Sequence, residues 1–473
     1  MKREILRINE LNYTDNEGRR LKDVSFYLAS GDRAALMGLA NSGRDALVGV
    51  LTGSFEADFS SCGVFLNGER IISQRLLTPA VYRMSPALRM IGSWSVAEYL
   101  LLMEHGYPGN IIISRRAMEE RTQEILSSFG IEIDASNPIS RLSELEKWLL
   151  ELVRAMQEGV RILLIEDEFD SLREEEIDIF AGRLKEIASD KAAVIVNSHS
   201  DLVSGKLSER YLIFKNGGIV KKCRKAYITG PEQLERFFLS GSVRSRKKTM
   251  DVYQKEPRED EEIIYRIFRM RLPDGSRRDL YFRKGAVTTF LISDEKQKRN
   301  FFNCVSGLWT NIGCYRILNG KRFRSMTEDT MVEKRLVVIR ALGDPGEIFT
   351  NMDLGDNLLL PSLRKISGFE YLKNGGRLSV LLSETVRKSG ILSDTAEERQ
   401  DVNDIICITL ERWFVFRPQV LFMLEPFARC DAYGSMVVRS YIRKFAMNGT
   451  AVVLIKSRDE YVGDLSDQIL NLG

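Results

Sequence analysis

Three stretches of the chain occur twice, in the same order and at nearly the same spacing. Val64–Arg70 (VFLNGER) is echoed by Arg316–Arg322 (RILNGKR), Val96–Leu102 (VAEYLLL) by Leu354–Leu360 (LGDNLLL), and Arg161–Leu172 (RILLIEDEFDSL) by Gln419–Cys430 (QVLFMLEPFARC). The separation is 252 residues between Leu66 and Leu318 and 258 between Glu166 and Leu424. A repeat this long is a duplicated domain rather than a solenoid unit, and 473 residues are too many for one hydrophobic core. The chain is therefore expected to fold as two similar halves. A basic block followed by an acidic one, Ser240–Ile264, separates them and lacks apolar periodicity, as an exposed connector would. The expected domains are 1–240 and 263–473, with the charged linker at 241–262.

Within each half, β-rich apolar runs (RAALM, ILLIE, AAVIVNS; then VTTFLI, VLFML, TAVVLI) alternate with helix-like segments such as EEEIDIFAGRLKEIA. That alternation predicts an α/β fold built on a mainly parallel sheet. Turn-rich sequence of strand character, Leu6–Asp32, precedes the parallel run and predicts an antiparallel piece beside it. A net charge of +3 marks neither nucleic acid nor an acidic membrane surface as the partner. The six cysteines show no metal-ligand spacing and read as reduced thiols. No signal-peptide pattern opens the chain, and no run approaches the ~18 apolar residues of a membrane span.

Met37–Gly49 (MGLANSGRDALVG) follows an apolar strand and has glycines at Gly38 and Gly43, the skeleton of a phosphate-cradling loop. Such loops read G-x-x-x-x-G-K-[ST]: backbone N–H groups wrap the phosphates, the lysine reaches the outer ones and the hydroxyl holds Mg²⁺. Here Arg44 and Asp45 replace the lysine and the hydroxyl; alone, the stretch reads rather as a glycine-bearing turn with no ligand. Further on, Ser143 stands three residues before Glu146, the spacing of a helix capping box. The strand Ile162–Ile165 then runs into Glu166, Asp167 and Glu168 at its carboxyl end, where open α/β sheets put their ligands. A second strand delivers His199 to the same edge; a solvated strand end would account for these residues as well.

Taken in order, these motifs resemble the ATP-binding-cassette family, and most closely the two-cassette ATP-binding subunits of bacterial carbohydrate importers. The resemblance covers nearly the whole chain, with NLLLPSLRKISG, ERWFVFRPQVLFMLEPFARCD and VVLIKSRDEYVGDLSDQIL similar to the second cassette. It implies two tandem P-loop domains, each with an antiparallel β subdomain and a helical subdomain, acting on ATP and Mg²⁺. In the first, Tyr13 falls where the family stacks on adenine, and Gly38, Asn41, Ser42, Gly43, Arg44, Asp45 and Ala46 on the phosphate loop. Ser143 falls on the signature segment, Glu166 on the metal ligand, Asp167 on the catalytic carboxylate and His199 on the switch histidine. In the second, Lys298 and Glu425 fall on the loop lysine and the catalytic glutamate, and Ser457 on the switch position. The resemblance also implies membrane permease partners met around SWSVAEYLLL and NMDLGDNLLL, and a cytoplasmic protein lying on the inner face of the bacterial membrane. Whether the cassettes pair within one chain or between two is left open.

The departures from the family fall where its chemistry should be. A carboxylate at Asp45 about 4 Å from a phosphate oxygen costs about 4 kcal/mol at an effective dielectric near 20, nearly three decades of affinity. Pairing with Arg44 or ligation of a metal would offset part of this. The usual Asp-Glu pair is inverted to Glu166-Asp167, unless a one-residue bulge brings Asp167-Glu168 into place. Pro86 stands near the expected glutamine, and Glu144, Leu145 and Glu146 replace the signature glycines. The second loop, Ile292–Asn300 (ISDEKQKRN), has neither glycine, Leu424 replaces the metal-binding Asp, and QDVND (400–404) adds acid at the signature. The expectation is an importer cassette subunit with weak or absent hydrolysis; the alternative is a pseudo-ATPase acting as a scaffold or regulatory subunit.

Overall fold

A computed structural model describes residues 3–14, 20–39, 42–101, 114–166, 169, 172–198, 200–228, 262–310, 313–349, 352, 354–362 and 402–472. The chain divides into two compact units, Met1–Phe238 and Leu239–Gly473. Except for Glu262, the charged connector expected at 241–262 lies outside the described residues.

Unit 1 begins with β1 (Glu4–Thr14), β2 (Arg20–Ala29), β3 (Arg33–Met37), β4 (Gly63–Leu66) and β5 (Glu69–Ile71). It continues with β6 (Val81–Met84), β7 (Ile162–Glu166), β8 (Ala193–Asn197), β9 (Arg210–Lys215) and β10 (Gly218–Arg224). Two sheets result, an antiparallel one ordered β2-β1-β4-β5 and a larger one ordered β10-β9-β3-β8-β7-β6. Every neighbour in the larger sheet is parallel except β10 on β9. Strands covered on both faces read as unbroken apolar runs, and β3 (RAALM) and β8 (AVIVN) are buried at every position. The antiparallel hairpins turn on Asn-Gly pairs because both residues need positive φ in a two-residue I′ turn. Asn67 and Gly68 have φ of 53° and 87°.

Unit 2 repeats the plan. Its strands are β11 (Ile263–Arg271), β12 (Arg277–Arg283), β13 (Val287–Leu291), β14 (Tyr315–Leu318) and β15 (Lys321–Phe323). They are followed by β16 (Leu336–Ile339), β17 (Val420–Leu424), β18 (Ala451–Lys456) and β19 (Gln468–Asn471). The antiparallel sheet is ordered β12-β11-β14-β15 and the parallel one β16-β17-β18-β13-β19. Asn319 and Gly320 make the second Asn-Gly turn, with φ of 47° and 78°. The parallel α/β sheets and the antiparallel pieces expected from the sequence are both present.

The helical part of unit 1 includes Val96–Leu101, Arg115–Ser128 and Glu144–Gln157. Trp148 on the last of these stacks on Phe169 with centroids 4.3 Å apart. The same buried stripe carries Glu151, fully buried, which accepts the Tyr82 hydroxyl at 3.0 Å and also that of Tyr99. Among the described residues no helix is long and apolar enough to cross a membrane.

Candidate functional site

In unit 1 the carboxyl ends of β3, β7 and β8 bring the loop, the acid strand and the second strand tip to one edge of the sheet. After β3 the chain runs through Gly38 to Gly43, then enters the helix Arg44–Thr52. Gly43 caps that helix with φ 108° and contributes no side-chain hydrogen bond. Both glycines answer to close packing. A Cβ on Gly38 would stand 2.4 Å from Ser42 Oγ, and one on Gly43 2.8 Å from Gly217 Cα. The Asn216–Gly217 turn between β9 and β10 holds the loop from behind, Gly217 N donating to Ser42 O at 2.8 Å.

Arg44 occupies the place of the loop lysine, but its side chain is only 2 % exposed. Its Nη1 donates to the Ser198 carbonyl at 2.9 Å, and Nε lies 3.6 Å from Asp45 Oδ1. The guanidinium ties the loop to the end of β8 rather than reaching outward. Asp45 is half exposed and accepts from Asn197 Nδ2 at 3.1 Å. Glu166, at the tip of β7, makes an ion pair with Arg83 of the adjacent β6. The carboxylate expected to hold the metal is thus already next to a cation. Among the described residues no group of three or more metal-ligating side chains converges. Asp45 is held by Asn197 and Glu166 by Arg83, while Asp167 and Glu168 lie outside the described residues.

Tyr13 stacks on Phe55 with centroids 5.8 Å apart and planes 8° from parallel. One face of the expected adenine platform is thus taken by the protein. Ser143 caps the helix Glu144–Gln157 through a full capping box: Glu146 N donates to Ser143 Oγ at 3.2 Å and Ser143 N to Glu146 Oε2 at 2.7 Å. Ala46 is buried in the first turn of its helix. Asn41, Asp167 and His199 lie outside the described residues.

The corresponding edge of unit 2 is built differently. β13 ends at Leu291 and the next helix, Glu295–Ser306, begins after Ile292, Ser293 and Asp294. The connection is three residues long where unit 1 uses the six from Gly38 to Gly43. Asp294, with φ −70°, caps the helix through Gln297 N at 2.6 Å. The N–H end that could face an anion meets the protein's own carboxylate. Because the helix starts early, Lys298 sits a full turn inside it, its N–H donating to Asp294 O at 2.8 Å.

Lys298 is fully buried, and three partners surround its ammonium: Glu425 Oε1 at 2.6 Å, Ser457 Oγ at 2.7 Å and Glu295 Oε2 at 2.7 Å. An ammonium has three N–H donors, so none is left over. Glu425, with φ 43°, also accepts Ser457 N at 2.7 Å and Ser457 Oγ at 2.8 Å. The three positions matched to the loop lysine, the catalytic glutamate and the switch residue come together, bonded to one another. Burial presses Lys298 toward the neutral form, but the Glu425 and Glu295 carboxylates outweigh it and hold the ammonium above its ordinary range.

Sequence reasoning did not find Arg83, Asn197, Asp294 or Glu295. Asp294 carries a legible signal, a capping residue type just ahead of a helical run, three positions before Gln297. Arg83 carries none, because pairing between adjacent parallel strands joins residues distant in the chain.

No family model matches the chain. It is 21% identical over 475 residues to Ribose import ATP-binding protein RbsA 1 of Rhizobium meliloti (strain 1021), covering 96% of this chain and 89% of the relative. It is 22% identical over 474 residues to Arabinose import ATP-binding protein AraG of Pseudomonas savastanoi pv. phaseolicola, covering 98% and 91%. Among solved structures, cbiO1 from Clostridium perfringens, part of an ABC transporter complex, aligns with 50% of this chain and 94% of its own, at 17% identity and a TM-score of 0.41.

Proposed function

The chain is a tandem-cassette protein of the ATP-binding-cassette type, and from that premise we propose that it is the cassette subunit of a carbohydrate importer, docked on membrane permease subunits, with weak or absent ATP hydrolysis. The observation that carries the docking role is similarity to sugar-import ATP-binding proteins along nearly the whole chain. Slow chemistry is supported by the geometry of both units. In unit 2, Asp294 caps the helix and Lys298 is bonded to Glu425, Ser457 and Glu295. In unit 1, Arg44 is turned inward and Glu166 is paired with Arg83. In-line attack by water depends on sub-ångström placement, so these diversions weaken turnover before they weaken the fold.

Co-expression with candidate permease subunits, followed by purification from membranes, tests the docking role. Recovery of the chain with one permease is the expected result, and recovery with none overturns it. Turnover of Mg-ATP by the intact chain and by Asp167→Ala tests the chemistry. Little activity in either is expected; brisk saturable turnover lost on substitution overturns weak hydrolysis.

A pseudo-ATPase scaffold is the second reading, favoured by the bonded Lys298 network and the Arg83–Glu166 pair occurring in one chain. Calorimetry with ATP separates the two. Measurable affinity favours the importer subunit, and none favours the scaffold.

A further inference from the structure

The antiparallel sheets of the two units carry the same cross-strand row on their outer faces. In unit 1, Tyr27 of β2 stands opposite Arg7 of β1, Arg7 opposite Phe65 of β4, and Phe65 opposite Arg70 of β5. In unit 2 the row reads Tyr281, Arg266, Ile317 and Arg322 on β12, β11, β14 and β15. Tyrosine, arginine, an apolar residue and arginine thus recur at four matched places, although the loops after β3 and β13 have diverged. Side chains alternate across a strand, and the core uses the inner set, among them Tyr265, Ile267, Phe282 and Leu318. Tyr27 is 54% exposed and Tyr281 45%. Tyr27 is that open with β10 packed beside β2, so the exposure belongs to the outer face and not to the edge of the sheet.

The next row differs between the units. Asn9 and Gly63 face each other in unit 1, whereas Phe268 and Tyr315 face each other in unit 2, their rings stacked with centroids 4.8 Å apart and planes 14° from parallel. Tyr281 meets Phe268 edge-on at 6.2 Å, and the Arg322 guanidinium lies 4.0 Å over the Tyr315 ring. The cations differ as well. Arg7 is paired with Glu4 at 3.2 Å, but among the described residues neither Arg266 nor Arg322 forms an ion pair. Both are exposed, as is Lys321. Of the acids at these strands, Glu262, just ahead of β11, is paired with Lys284 at 3.4 Å, and Asp279 of β12 accepts Arg269 N at 2.7 Å. The net charge of +3 is a sum over the whole chain, whereas this face is basic by itself.

We propose that the outer face of the unit 2 antiparallel sheet binds a single-stranded nucleic acid, its bases stacking on Phe268, Tyr281 and Tyr315 and its phosphates meeting Arg266, Arg322 and Lys321. Every base has a π-face, so exposed rings on a sheet give affinity with little choice of sequence. The phosphate backbone supplies negative charge at regular intervals for the guanidiniums. A plain anionic surface would satisfy the cations and leave the rings unused, whereas a strand of nucleotides uses both. The proposal does not depend on ATP chemistry in either unit or on docking to a permease.

Fluorescence anisotropy on the full chain tests it, with labelled oligouridylate and oligothymidylate of about ten nucleotides as probes, which separate RNA from DNA as the source. Saturable binding of at least one, weakening as salt rises, is the expected result. Phe268→Leu with Tyr315→Leu is expected to weaken binding about tenfold per ring. Arg266→Gln with Arg322→Gln is expected to lower the slope of log affinity against log salt by about two. Arg7→Gln in unit 1 is expected to change neither. Arg266 and Arg322 are exposed, so their glutamine variants keep the test valid should melting curves show the ring variant unfolded. Four results overturn the proposal: no binding of either probe, affinity unmoved by the unit 2 variants or equally reduced by Arg7→Gln, displacement by polyphosphate of equal charge as readily as by unlabelled oligonucleotide, or tighter binding to phosphatidylglycerol vesicles. The last two would assign the face to a bare anion or to a lipid surface.

Discussion

Lys298 has the charge and reach of a phosphate-binding lysine, yet its three donors are all committed within its own unit. Lys298→Met leaves Glu425 half-buried without its cation and is expected to destabilise unit 2 by about 3 kcal/mol, read from urea unfolding. Adding Glu425→Leu is expected to restore most of that loss, because an apolar pair of similar volume replaces the charges. The pH dependence has two signs. Lys298 is held above the ordinary lysine range, so its contribution is complete below 10.5 and is lost as pH rises through the higher folded value. Glu295 moves the other way: burial pushes its carboxyl up, but Lys298 and Arg299 bring it below its ordinary 4.5. Its contribution is complete above 4.5 and is lost as pH falls through the depressed folded value. Unfolding curves across pH are expected to show a plateau between these limits, with both shoulders reduced in Lys298→Met.

At the scale of elements, the loop of unit 1 is the testable piece. If the charge of Asp45 is what disfavours a triphosphate, Asp45→Thr tightens ATP binding by tenfold or more, up to about three decades. Asp45→Asn is expected to fall between, and unchanged affinity in calorimetry would clear Asp45 of that role. Gly43→Ala places a methyl against the Gly217 backbone at a φ of 108° and is expected to cost about 2 kcal/mol, seen as a lower melting temperature. The elements themselves were legible in the sequence. RAALM, ILLIE and VLFML coincide with β3, β7 and β17, and EEEIDIFAGRLKEIA with the helix Glu174–Ala188, because continuous apolar runs and helical periodicity are local signals. The wiring between elements was not. Arg44 is drawn to the Ser198 carbonyl and Glu166 to Arg83 by contacts between elements that only the fold brings together. The motif match put Lys298 on the loop lysine, whereas the Asp294 cap begins the helix a turn ahead of it and carries the lysine inside.

For the molecule as a whole, each unit has its own hydrophobic core. Stepwise unfolding in denaturant is therefore expected, and Lys298→Met should move only the step that belongs to unit 2. A single transition moved as one would show that the units unfold as one cooperative body. The loss of the cradle in unit 2 is a matter of where the helix begins rather than of chain length, since Ile292 to Gln297 separate β13 from Lys298 just as Gly38 to Gly43 separate β3 from Arg44. Codon changes can restore a glycine or a hydroxyl, and the cap that starts the helix early is itself one residue, Asp294. Reversion is thus open to both units by substitution, but unit 2 must give up its early helix start as well as regain its glycines, so the two halves of the duplication stand at unequal distances from a working cradle.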